Sequence, residues 1–309
     1  MTDLDLLVVG EINPDLILRG PDVTPAFGQA EKLVQEAALT IGSSSVIMAC
    51  GAARLGLRTA FIGVAGDDEF GRFMLSQMAG RGIDTSGCVV DAALQTGMSV
   101  ILSQPHDRAI LTYTGAIGAL RGEQIDRRML RAARHVHVGS YFLLDALRPD
   151  LPALFCEAHE IGLTTSLDTN WDPAGSWDGG LQQLLSECDI LMPNEAEARF
   201  IARRDDLDAA VKALSAQVPI VAVKLGAEGA LARQGQQTAR APALPVHAVD
   251  TTGAGDSFDA GFLYGALAGW PLERSLRLAC ACGSLSTRAA GGTNAQASLG
   301  EALSAAGEE

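Results

Sequence analysis

Short apolar runs alternate along this chain with longer segments of helical periodicity, and this alternation constrains the fold more than any other feature. Six runs have the length and composition of buried strands: "LDLLVVG", "RTAFIGVAG", "RHVHVGSYF", "LTTSLDTN", "CDILMPN" and "PIVAVKLG". Helix-like segments lie between them, including one that ends at Gly56 and one that Asp67 is placed to cap. The repetition predicts an α/β domain, with a parallel sheet covered by helices on both faces.

Two regions depart from this alternation. Residues 15–39 and 96–114 contain short pieces rich in Val, Ile, Leu and Thr, separated by Gly, Pro and Asp. The second region predicts a hairpin that turns at Pro105-His106-Asp107-Arg108. Because no low-complexity linker sets these regions apart, we expect them to form a small β-lid inserted in a single domain of residues 1–309.

The charge and hydropathy of the chain exclude several classes of function. A formal net charge of -14 disfavours binding to nucleic acid or to anionic lipid, because both need clustered Lys and Arg. No apolar run approaches the roughly 20 residues that cross a bilayer, and the acidic start "MTDLDLLVVG" is unlike a signal peptide. These features predict a cytoplasmic protein with no membrane partner.

The cysteines and two of the histidines are expected to be structural. Cys280 and Cys282 are two residues apart in a helix-like segment, so their side chains point to different faces and suit neither a disulfide nor a metal site. His135 and His137 share a strand face, but no third ligand lies near them in sequence to complete a zinc set. We therefore expect reduced thiols and core imidazoles.

The stretch "VDTTGAGDSFDAGFLYGAL" places a glycine-rich turn at a junction between loop and helix. The free N–H groups of Gly253, Ala254 and Gly255, with the helix dipole behind them, would stabilise an anion. Asp256 follows directly, and two interpretations are open at this point. It is either an ordinary helix N-cap or a general base that accepts a hydroxyl proton during attack on phosphorus.

The residues around this turn resemble the carboxy-terminal signature of the ribokinase-like (PfkB) carbohydrate kinases. "DTTGAGD" of residues 250–256 and "AGFL" of residues 260–263 match that signature. Four other stretches are similar to motifs of the family and occur in its order: "GEINPDLIL", "GVAGDDEFG", "PNEAEA" and "VKLGAEGA". The resemblance covers nearly the whole chain. It implies a ribokinase-like three-layer α/β fold with a mostly parallel central sheet and a small β-lid.

For the turn itself, the resemblance implies that Asp256 is the catalytic base. The backbone of Gly253–Gly255 would be the anion hole for the transferred phosphoryl group. Asp250 and Thr252, with carbonyl groups of "TRAAGGTN", resemble the family's monovalent-cation site, which implies K⁺. Asp250 alternatively caps the turn and binds no cation.

On the nucleotide side, the resemblance implies ATP as the phosphoryl donor. Asn194 and Glu197 would organise Mg²⁺ and its waters near the phosphates, with Glu197 acting through water. A chain without a Walker A lysine motif has to neutralise the triphosphate with metal and helix dipoles. Lys224, Gly226 and Gly229 would line the nucleotide site. Taken without its family spacing, Glu197 reads as a solvated helix carboxylate.

On the substrate side, the family pattern is only partly kept. The implied sugar-binding residues are Asn13, Asp15, Gly42, Ser43, Ile47 and Asn170. Ser43 replaces the second glycine of a Gly-Gly pair, and Ile47 replaces an asparagine that holds a sugar hydroxyl. The apolar side chain cannot make that hydrogen bond, so the contact is lost, moved to Ser43, Ser44 or Ser45, or irrelevant to this substrate.

A second departure lies in "LDTNWDP", which is similar to the D-x-N-x-R segment of fructokinase-like and 2-keto-3-deoxygluconate kinase-like members. Asp168 and Asn170 match, but Asp172 stands at the arginine position. The loss of this cation weakens the case for a keto-acid substrate, although Arg108 on the lid is a candidate replacement.

The resemblance implies an ATP- and Mg²⁺-dependent kinase that phosphorylates a primary hydroxyl of a small sugar, and a homodimer formed through the lids. Two alternatives stay open: a nucleoside kinase of the same family, and a non-catalytic sugar-sensing module. The few aromatic candidates for stacking on a base are Phe27, Tyr113 and Trp171, which favours a sugar. A nicotinamide-dependent dehydrogenase is disfavoured, since "VVGEINPD" lacks the glycine fingerprint.

Overall fold

Strands and helices alternate through residues 3–104 and 108–308, which are the residues that the computed structural model describes. The strands are β1 Leu6–Val9, β2 Pro14–Arg19, β3 Glu36–Ile41, β4 Thr59–Ile62, β5 Val64–Gly66, β6 Val89–Asp91, β7 Met98–Ser103, β8 Arg108–Tyr113, β9 His135–Val138, β10 Thr164–Leu167, β11 Ile190–Leu191, β12 Ile220–Lys224, β13 Ala230–Gln234 and β14 Gln237–Ala241. The helices are α1 Ser44–Arg54, α2 Glu69–Ala79, α3 Arg127–Ala132, α4 Leu151–Glu160, α5 Leu181–Leu185, α6 Glu195–Ala202, α7 Leu207–Leu214, α8 Ala254–Leu267, α9 Leu272–Ser286 and α10 Leu299–Ala305.

The main sheet has the strand order β14-β13-β12-β11-β10-β9-β1-β4. From β12 to β4 each pair of neighbouring strands is parallel, whereas β13 pairs antiparallel with both β12 and β14. Leu6 and Val8 of β1 face a core completed by α1, α8 and α9, and Leu7 and Val9 face a second core completed by α4, α5 and α7. This two-residue alternation between two buried faces confirms the three-layer, mostly parallel α/β prediction.

A second sheet, formed by the two regions that break the alternation, has the order β3-β2-β7-β8. Strands β7 and β8 pair antiparallel, from Met98 opposite Tyr113 to Ser103 opposite Arg108, so the hairpin prediction is confirmed for its strands. The predicted turn residues Pro105, His106 and Asp107 lie outside the described residues. Strands β3 and β8 form the edges of this sheet, and β8 is exposed along its whole length.

The prediction that Asp67 caps the following helix is wrong. Asp68 is the N-cap of α2, and its Oδ1 accepts a hydrogen bond from the N–H of Gly71 at 2.8 Å. Its Oδ2 accepts from the N–H of Thr96 at 2.7 Å, so the same carboxylate also ties the loop before β7 to this helix. Asp67 instead pairs with Arg72 on the exposed surface. Two capping-type residues in succession left the choice open, and the second bond to Thr96 decides it.

His135, His137, Cys280 and Cys282 are buried in the core as expected, whereas Cys156 is exposed and is not a core thiol. His135 and His137 are buried in β9 and each bonds to Ser166, at 2.7 and 2.8 Å, and burial lowers their pKa values to about 3 and 4. Cys280 and Cys282 are free thiols buried in α9, and burial raises the pKa of each to about 12. In the part of the chain that the structure describes, no helix combines the length and apolarity that crossing a membrane requires.

The parallel strands bring the polar residues of the chain to one edge of the main sheet. Glu11, Asp168 and Asn194 each follow the carboxyl end of a strand, namely β1, β10 and β11, and Lys224 ends β12. The carboxyl ends of parallel strands meet at the same edge of the sheet. Helix α8 begins at that edge too. This edge carries the candidate site.

Candidate active site

The glycine-rich turn forms the N-terminus of α8. Gly253 is the N-cap, with φ 73°, and no side chain caps this end of the helix. A Cβ at Gly253 would lie 2.7 Å from Cα of Gly292 and 2.8 Å from Cγ2 of Ile47, so glycine is required for space as well as for its positive φ. The first N–H groups of such a helix have no intrahelical acceptor and face outward with the positive end of the dipole.

Asp256 is the third residue of α8 and not its N-cap. Its carboxylate oxygen lies within 4.8 Å of carboxylate oxygens of Asp168 and Asp259. Burial raises the pKa of Asp256 well above its usual value, and the Asp168 carboxylate adds to the effect, whereas Lys224 opposes it. A carboxylate with a raised pKa beside a helix N-terminus is suited to accept a proton.

Lys224 lies at the centre of this group of acids. Its Nζ donates to Oδ2 of Asp168 at 2.7 Å and to the two carboxylate oxygens of Asp259 at 3.1 and 3.2 Å. Burial disfavours the charged ammonium, but the two carboxylates outweigh burial and the pKa of Lys224 is raised on balance. Burial and the neighbouring carboxylates raise the pKa of Asp259, despite Lys224. The ammonium therefore stays charged between the two carboxylates, while burial works against the ionised form of Asp259. Asp259 was missed from sequence, where it is one more helix residue.

A polar cavity of about 310 Å³ opens between the turn, α1 and the second sheet. It brings together five of the six predicted sugar-binding residues with the proposed base: Asn13, Asp15, Ser43, Ile47, Asn170 and Asp256. Gly42, the sixth, lies directly behind, because a Cβ there would be 2.2 Å from Oδ1 of Asp15. Side chains that are spread from position 13 to position 256 of the sequence thus meet at one cavity.

Asp15 and its neighbours form the side of the cavity on β2 and β7. Asp15 is 6% exposed, and burial raises its pKa to about 7, with a further contribution from the Glu11 carboxylate. Asn13 Nδ2 donates to Oγ of Ser99 at 3.5 Å, and that hydroxyl shares a 3.0 Å hydrogen bond with Thr112 of β8. Carboxylate, amide and hydroxyl groups side by side suit a ligand with several hydroxyl groups.

Glu11 is a buried member of the site that the sequence reasoning missed. It is 2% exposed, and its carboxylate accepts from Oγ of Ser45 at 2.5 Å and from Oγ of Ser140 at 2.9 Å. Its backbone carbonyl accepts from Oγ of Ser43 at 2.7 Å, and the same hydroxyl accepts from the N–H of Val46 to cap α1. The available signal was an acidic residue directly after an apolar strand, in "LLVVGE".

Asn170 links the end of β10 to the cavity. It has φ 52°, and its N–H donates to Oδ1 of Asp168 at 2.8 Å. Its Nδ2 donates to Oγ of Ser44 at 3.1 Å and to Oγ of Ser140 at 3.2 Å. These bonds orient the amide, leaving its oxygen to accept from Trp171 N–H at 2.8 Å.

Two of the residues that depart from the family pattern, Ile47 and Asp172, have structural contacts. Ile47 is 3% exposed, and its side chain packs on the backbones of Gly253 and Gly292 while one edge lines the cavity. Asp172, at the arginine position, is buried and accepts from the N–H groups of Ala174 and Trp177 at 2.8 and 2.7 Å. Neither side chain offers a sugar the group that the family pattern would supply.

Arg108 connects the second sheet to the turn. Its Nη1 donates to Oγ1 of Thr252 at 3.1 Å, and it lines the cavity opposite Asp15. The Arg108 charge opposes the rise in the pKa of Asp15. A strand of the second sheet therefore contacts the glycine-rich turn directly.

A second cavity, of about 540 Å³, lies on the other side of the turn. Its lining is mainly apolar, and it includes the predicted nucleotide-site residues Lys224, Gly226 and Gly229. Thr251 and Gly255 line both cavities. The two spaces therefore meet at the start of α8, beside Asp256.

Asn194 and Glu197 form a reciprocal cap at the start of α6. Asn194 Oδ1 accepts from the N–H of Glu197 at 2.9 Å, and Glu197 accepts from the N–H and Nδ2 of Asn194 at 2.8 and 2.6 Å. Burial, followed by the charge of Asp168, raises the pKa of Glu197 to about 7. Carboxylate and amide oxygens fit Mg²⁺, and since both carboxylate oxygens already accept hydrogen bonds, their remaining lone pairs suit waters of the ion.

Asp250 is tied to three partners at the start of the turn. Its carboxylate accepts from the N–H groups of Thr252 at 2.9 Å and Gly291 at 3.0 Å, and Nη2 of Arg19 lies 3.5 Å away. Burial alone would raise the pKa of Asp250, but the two N–H groups lower it on balance. The carboxylate therefore caps the turn and carries a negative charge close to Thr252.

Comparison with known proteins identifies relatives over nearly the whole chain. The family model described as pfkB family carbohydrate kinase matches residues 3–298. An ATP-dependent ribose-1-phosphate kinase from Halopiger xanaduensis is 32% identical over 292 residues, covering 94% of each chain. A fructokinase from Klebsiella pneumoniae is 34% identical over 271 residues, covering 82% of this chain and 88% of the relative.

Among solved structures, a putative ribokinase II from E. coli, in complex with ATP and Mg²⁺, superimposes with a TM-score of 0.86. It covers 98% of each chain at 23% identity. At this identity the likeness establishes the fold, which is the ribokinase-like fold that the resemblance implied.

Proposed function

Because the chain belongs to the pfkB family of carbohydrate kinases, we propose that it transfers the γ-phosphoryl group of ATP to a primary hydroxyl of a small sugar or sugar derivative. The observation that carries this proposal is the position of Asp256. It lies in the polar cavity, next to the turn at which the polar and apolar cavities meet. A sugar in one cavity and ATP in the other would meet at the start of α8.

In the proposed reaction, the sugar binds among Asp15, Asn13 and Asn170 and presents a hydroxyl to Asp256. The hydroxyl oxygen forms a bond to the γ-phosphorus, and the bond from that phosphorus to the bridging oxygen of ADP breaks. The hydroxyl proton passes to the Asp256 carboxylate. The N–H groups at the start of α8, from Gly253 to Gly255, stabilise the charge that develops on the transferred group.

Asn194 and Glu197 would hold Mg²⁺ through its waters, and the ion would neutralise charge on the phosphates. Lys224, Gly226 and Gly229 line the apolar cavity that we assign to the nucleotide. Asp250 and Thr252 are proposed to bind K⁺ together with nearby carbonyl groups, and the negative charge of Asp250 beside the turn supports that assignment.

The lining of the polar cavity favours a neutral sugar. Glu11, Asp15 and Asp256 contribute carboxyl groups, while Arg108 is the one cationic side chain among the described lining residues. A nucleoside kinase is the second candidate, but Phe27, Tyr113 and Trp171, which would stack on a base, are exposed and are not among those lining residues. A non-catalytic sensor has no need of Asp256 beside an anion hole.

We propose that the second sheet acts as a lid over the sugar and pairs with its counterpart in a homodimer. Its edge strands β3 and β8 expose apolar side chains, including Leu39, Ile110 and Leu111. Unpaired edges with such residues favour pairing with another chain. The six free cysteines fit a reducing compartment, and we propose the cytoplasm.

The test is ATP consumption with a panel of substrates in the presence of Mg²⁺. The panel contains ribose, fructose, 2-deoxy and keto sugars, ribose 1-phosphate, a keto-deoxy sugar acid, adenosine and cytidine, and the product is identified by mass spectrometry. We expect transfer to a neutral sugar. Preferred transfer to a nucleoside would support the second candidate, and sugar binding without transfer to any compound would support the sensor.

A further inference from the structure

Lys224 makes contacts that nucleotide binding does not explain. Although it lines the apolar cavity, its Nζ is directed to carboxylates: Asp168 Oδ2 lies 2.7 Å away and the two oxygens of Asp259 lie 3.1 and 3.2 Å away. Only 12% of its side chain is exposed. An ammonium has three N–H donors, and three carboxylate oxygens of the protein already accept from this one. Those three hydrogen bonds direct its donors away from the cavity.

These contacts join three elements of the site. Lys224 ends β12, Asp168 follows β10, and Asp259 lies one turn after Asp256 in α8. Asp168 also accepts from the N–H of Asn170 at 2.8 Å, which holds the left-handed conformation of a residue lining the polar cavity. The lysine therefore connects the substrate-side loop, the main sheet and the helix that carries the proposed base.

The lysine also passes directly beneath the anion-binding turn. A Cβ at Gly255 would lie 3.5 to 3.8 Å from Cδ, Nζ and Cε of Lys224. A side chain at position 255 would thus just reach Lys224, so the lysine runs close to the turn and its ammonium adds positive charge there. Carboxylate oxygens of Asp168, Asp256 and Asp259 lie within 4.8 Å of one another. Lys224 forms ion pairs with two of these acids, Asp168 and Asp259.

We infer that Lys224 is a positioning residue of the transfer site, which holds Asn170 and Asp256 in register across the two cavities instead of binding the nucleotide phosphates. This inference rests on the proposed function, in which Asp256 is the base. The physical reason is geometric. A buried ammonium bound to two carboxylates fixes the separation between the end of β10 and α8, and phosphoryl transfer depends on the alignment of hydroxyl, base and phosphorus.

The decisive variant is Lys224→Met, which keeps the length of the side chain and removes the ammonium. We expect kcat to fall on the order of 10²-fold, as for a displacement of about 1 Å at the reacting atoms. The KM for ATP, and the Kd of a non-hydrolysable ATP analogue measured by calorimetry, should change less than about threefold. Lys224→Arg keeps the charge and should recover part of the loss in kcat.

Two further variants cover the case in which Lys224→Met does not fold and provide a matched control. Asp168→Asn keeps the acceptor for Asn170 and removes the charge that Lys224 binds, so we expect a similar fall in kcat. Lys212→Met makes the same change at an exposed lysine of α7, outside the site, so its kcat should stay within about threefold of the parent. Folding of every variant is checked by circular dichroism and thermal melting.

The pH profile of kcat/KM gives a readout that a purely structural role would not move. The groups that face Asp256 are Glu11, Asp168, Lys224 and Ser44, with Asp259 on its own helix. Since Lys224 favours the ionised form of Asp256, its removal should shift the acidic limb of the profile to higher pH. Lys224→Arg should leave that limb close to its position in the parent protein.

Two results would overturn the inference. One is a large rise in the KM for ATP and in the Kd of the analogue with kcat unchanged, which would mean that Lys224 binds phosphate. The other is a parent-like kcat for both folded Lys224→Met and folded Asp168→Asn. Failure of the proposed function would appear differently, as parent-like turnover of Asp256→Asn or the absence of phosphoryl transfer in the parent protein.

Discussion

The two cavities on either side of the turn differ in the residues that line them. The larger one is lined mainly by glycines and apolar residues such as Gly226, Ala243 and Val246. The smaller one presents charged and hydroxyl side chains such as Asp15, Ser99 and Arg108. The first therefore selects by shape, and the second selects by hydrogen bonds with named side chains.

This difference teaches where the chain was free to change. An apolar site tolerates exchange of one apolar side chain for another, whereas each polar side chain that lines a polar site specifies one part of the ligand. Two of the departures from the family pattern, Ser43 and Ile47, line the polar cavity, and the third, Asp172, follows two residues after its lining residue Asn170. The glycines of the nucleotide side match the pattern. We infer that the substrate differs between relatives while the donor does not.

The largest expected effect comes from the residue where the two cavities meet. Asp256→Asn keeps the shape of the side chain and removes the base, so turnover should fall by a factor on the order of 10² to 10⁴. The KM values for ATP and sugar should both stay close to those of the parent, because neither cavity is altered. The measurement is steady-state kinetics with the best substrate of the panel.

The matched control for this variant is Asp172→Asn, at a carboxylate whose described partners all belong to its own loop. It should keep parent-like turnover once folding has been verified. Parent-like turnover of Asp256→Asn itself would remove the base from the proposed site.

Most of the fold could be predicted from the sequence because its signals are local. Apolar runs of strand length, helical segments between them and a Gly-Ala-Gly turn each act over a few residues, and the motifs carried the positions of Asp15, Asn170 and Asp256 to one cavity. The error at Asp67 has the same origin. Local capping preference did not distinguish it from Asp68, and the deciding bond to Thr96 spans 28 residues.

The electrostatic part of the site could not be predicted in this way. Lys224 and Asp259 are 35 residues apart, and Glu11 and Ser140 are 129 apart, so no sequence spacing relates them. Their pairing is a product of the parallel strand order, which brings the carboxyl ends of β1, β10 and β12 to the same side of the main sheet. For Ile47, the sequence shows that the asparagine of the family pattern is replaced, but not where the side chain lies. The structure shows a buried side chain with one edge in the cavity.

The second prediction concerns Ile47, which belongs to the polar cavity and to the support of the anion hole. Ile47→Asn would place an amide against the backbones of Gly253 and Gly292, with lost packing and an unpaired polar group. We expect the free energy of unfolding to fall by about 2–5 kcal/mol, with the relative preference among sugars unchanged. Thermal or urea unfolding and the substrate panel measure the two quantities.

Ile47→Val provides the control, because it keeps a branched apolar side chain and should cost only about 0.5–1.5 kcal/mol. The opposite result for Ile47→Asn is also informative. A near-parent melting temperature with a raised kcat/KM for ribose or fructose would show that the side chain faces the sugar, and it would assign Ile47 to the selective half of the comparison.

A smaller effect is expected at Asp15, which touches only the polar cavity. Asp15→Asn should raise the KM for the sugar roughly tenfold, the value of one hydrogen bond to a charged group, and leave the KM for ATP unchanged. An equal rise in both KM values would contradict the separation of the two cavities.

Stability provides a second readout at Asp15. Its pKa in the native state is about 7, above the value of 3.8 for an unperturbed aspartate, so the native state binds the proton more tightly. This carboxyl therefore contributes less stability as pH rises from about 4 to about 7. Asp15→Asn removes that contribution, so the variant should gain stability relative to the parent between pH 5 and pH 8. Melting temperatures at the two pH values measure this change.

The smallest effect is expected from the monovalent cation proposed at Asp250 and Thr252. The Asp250 carboxylate already has two N–H partners and lies 3.5 Å from Arg19, so part of its charge is compensated without an ion. A cation there would act on the anion hole across the turn, at the strength of a charge near a helix end. Replacing K⁺ by tetramethylammonium should therefore lower kcat by only about two- to fivefold.

Asp250→Asn should abolish the difference between the two salts. Because the ion would act on the transferred phosphoryl group and not on either cavity, the KM values for ATP and sugar should not follow the salt. Equal kcat in sodium, potassium and tetramethylammonium chloride would leave Asp250 with the capping role alone.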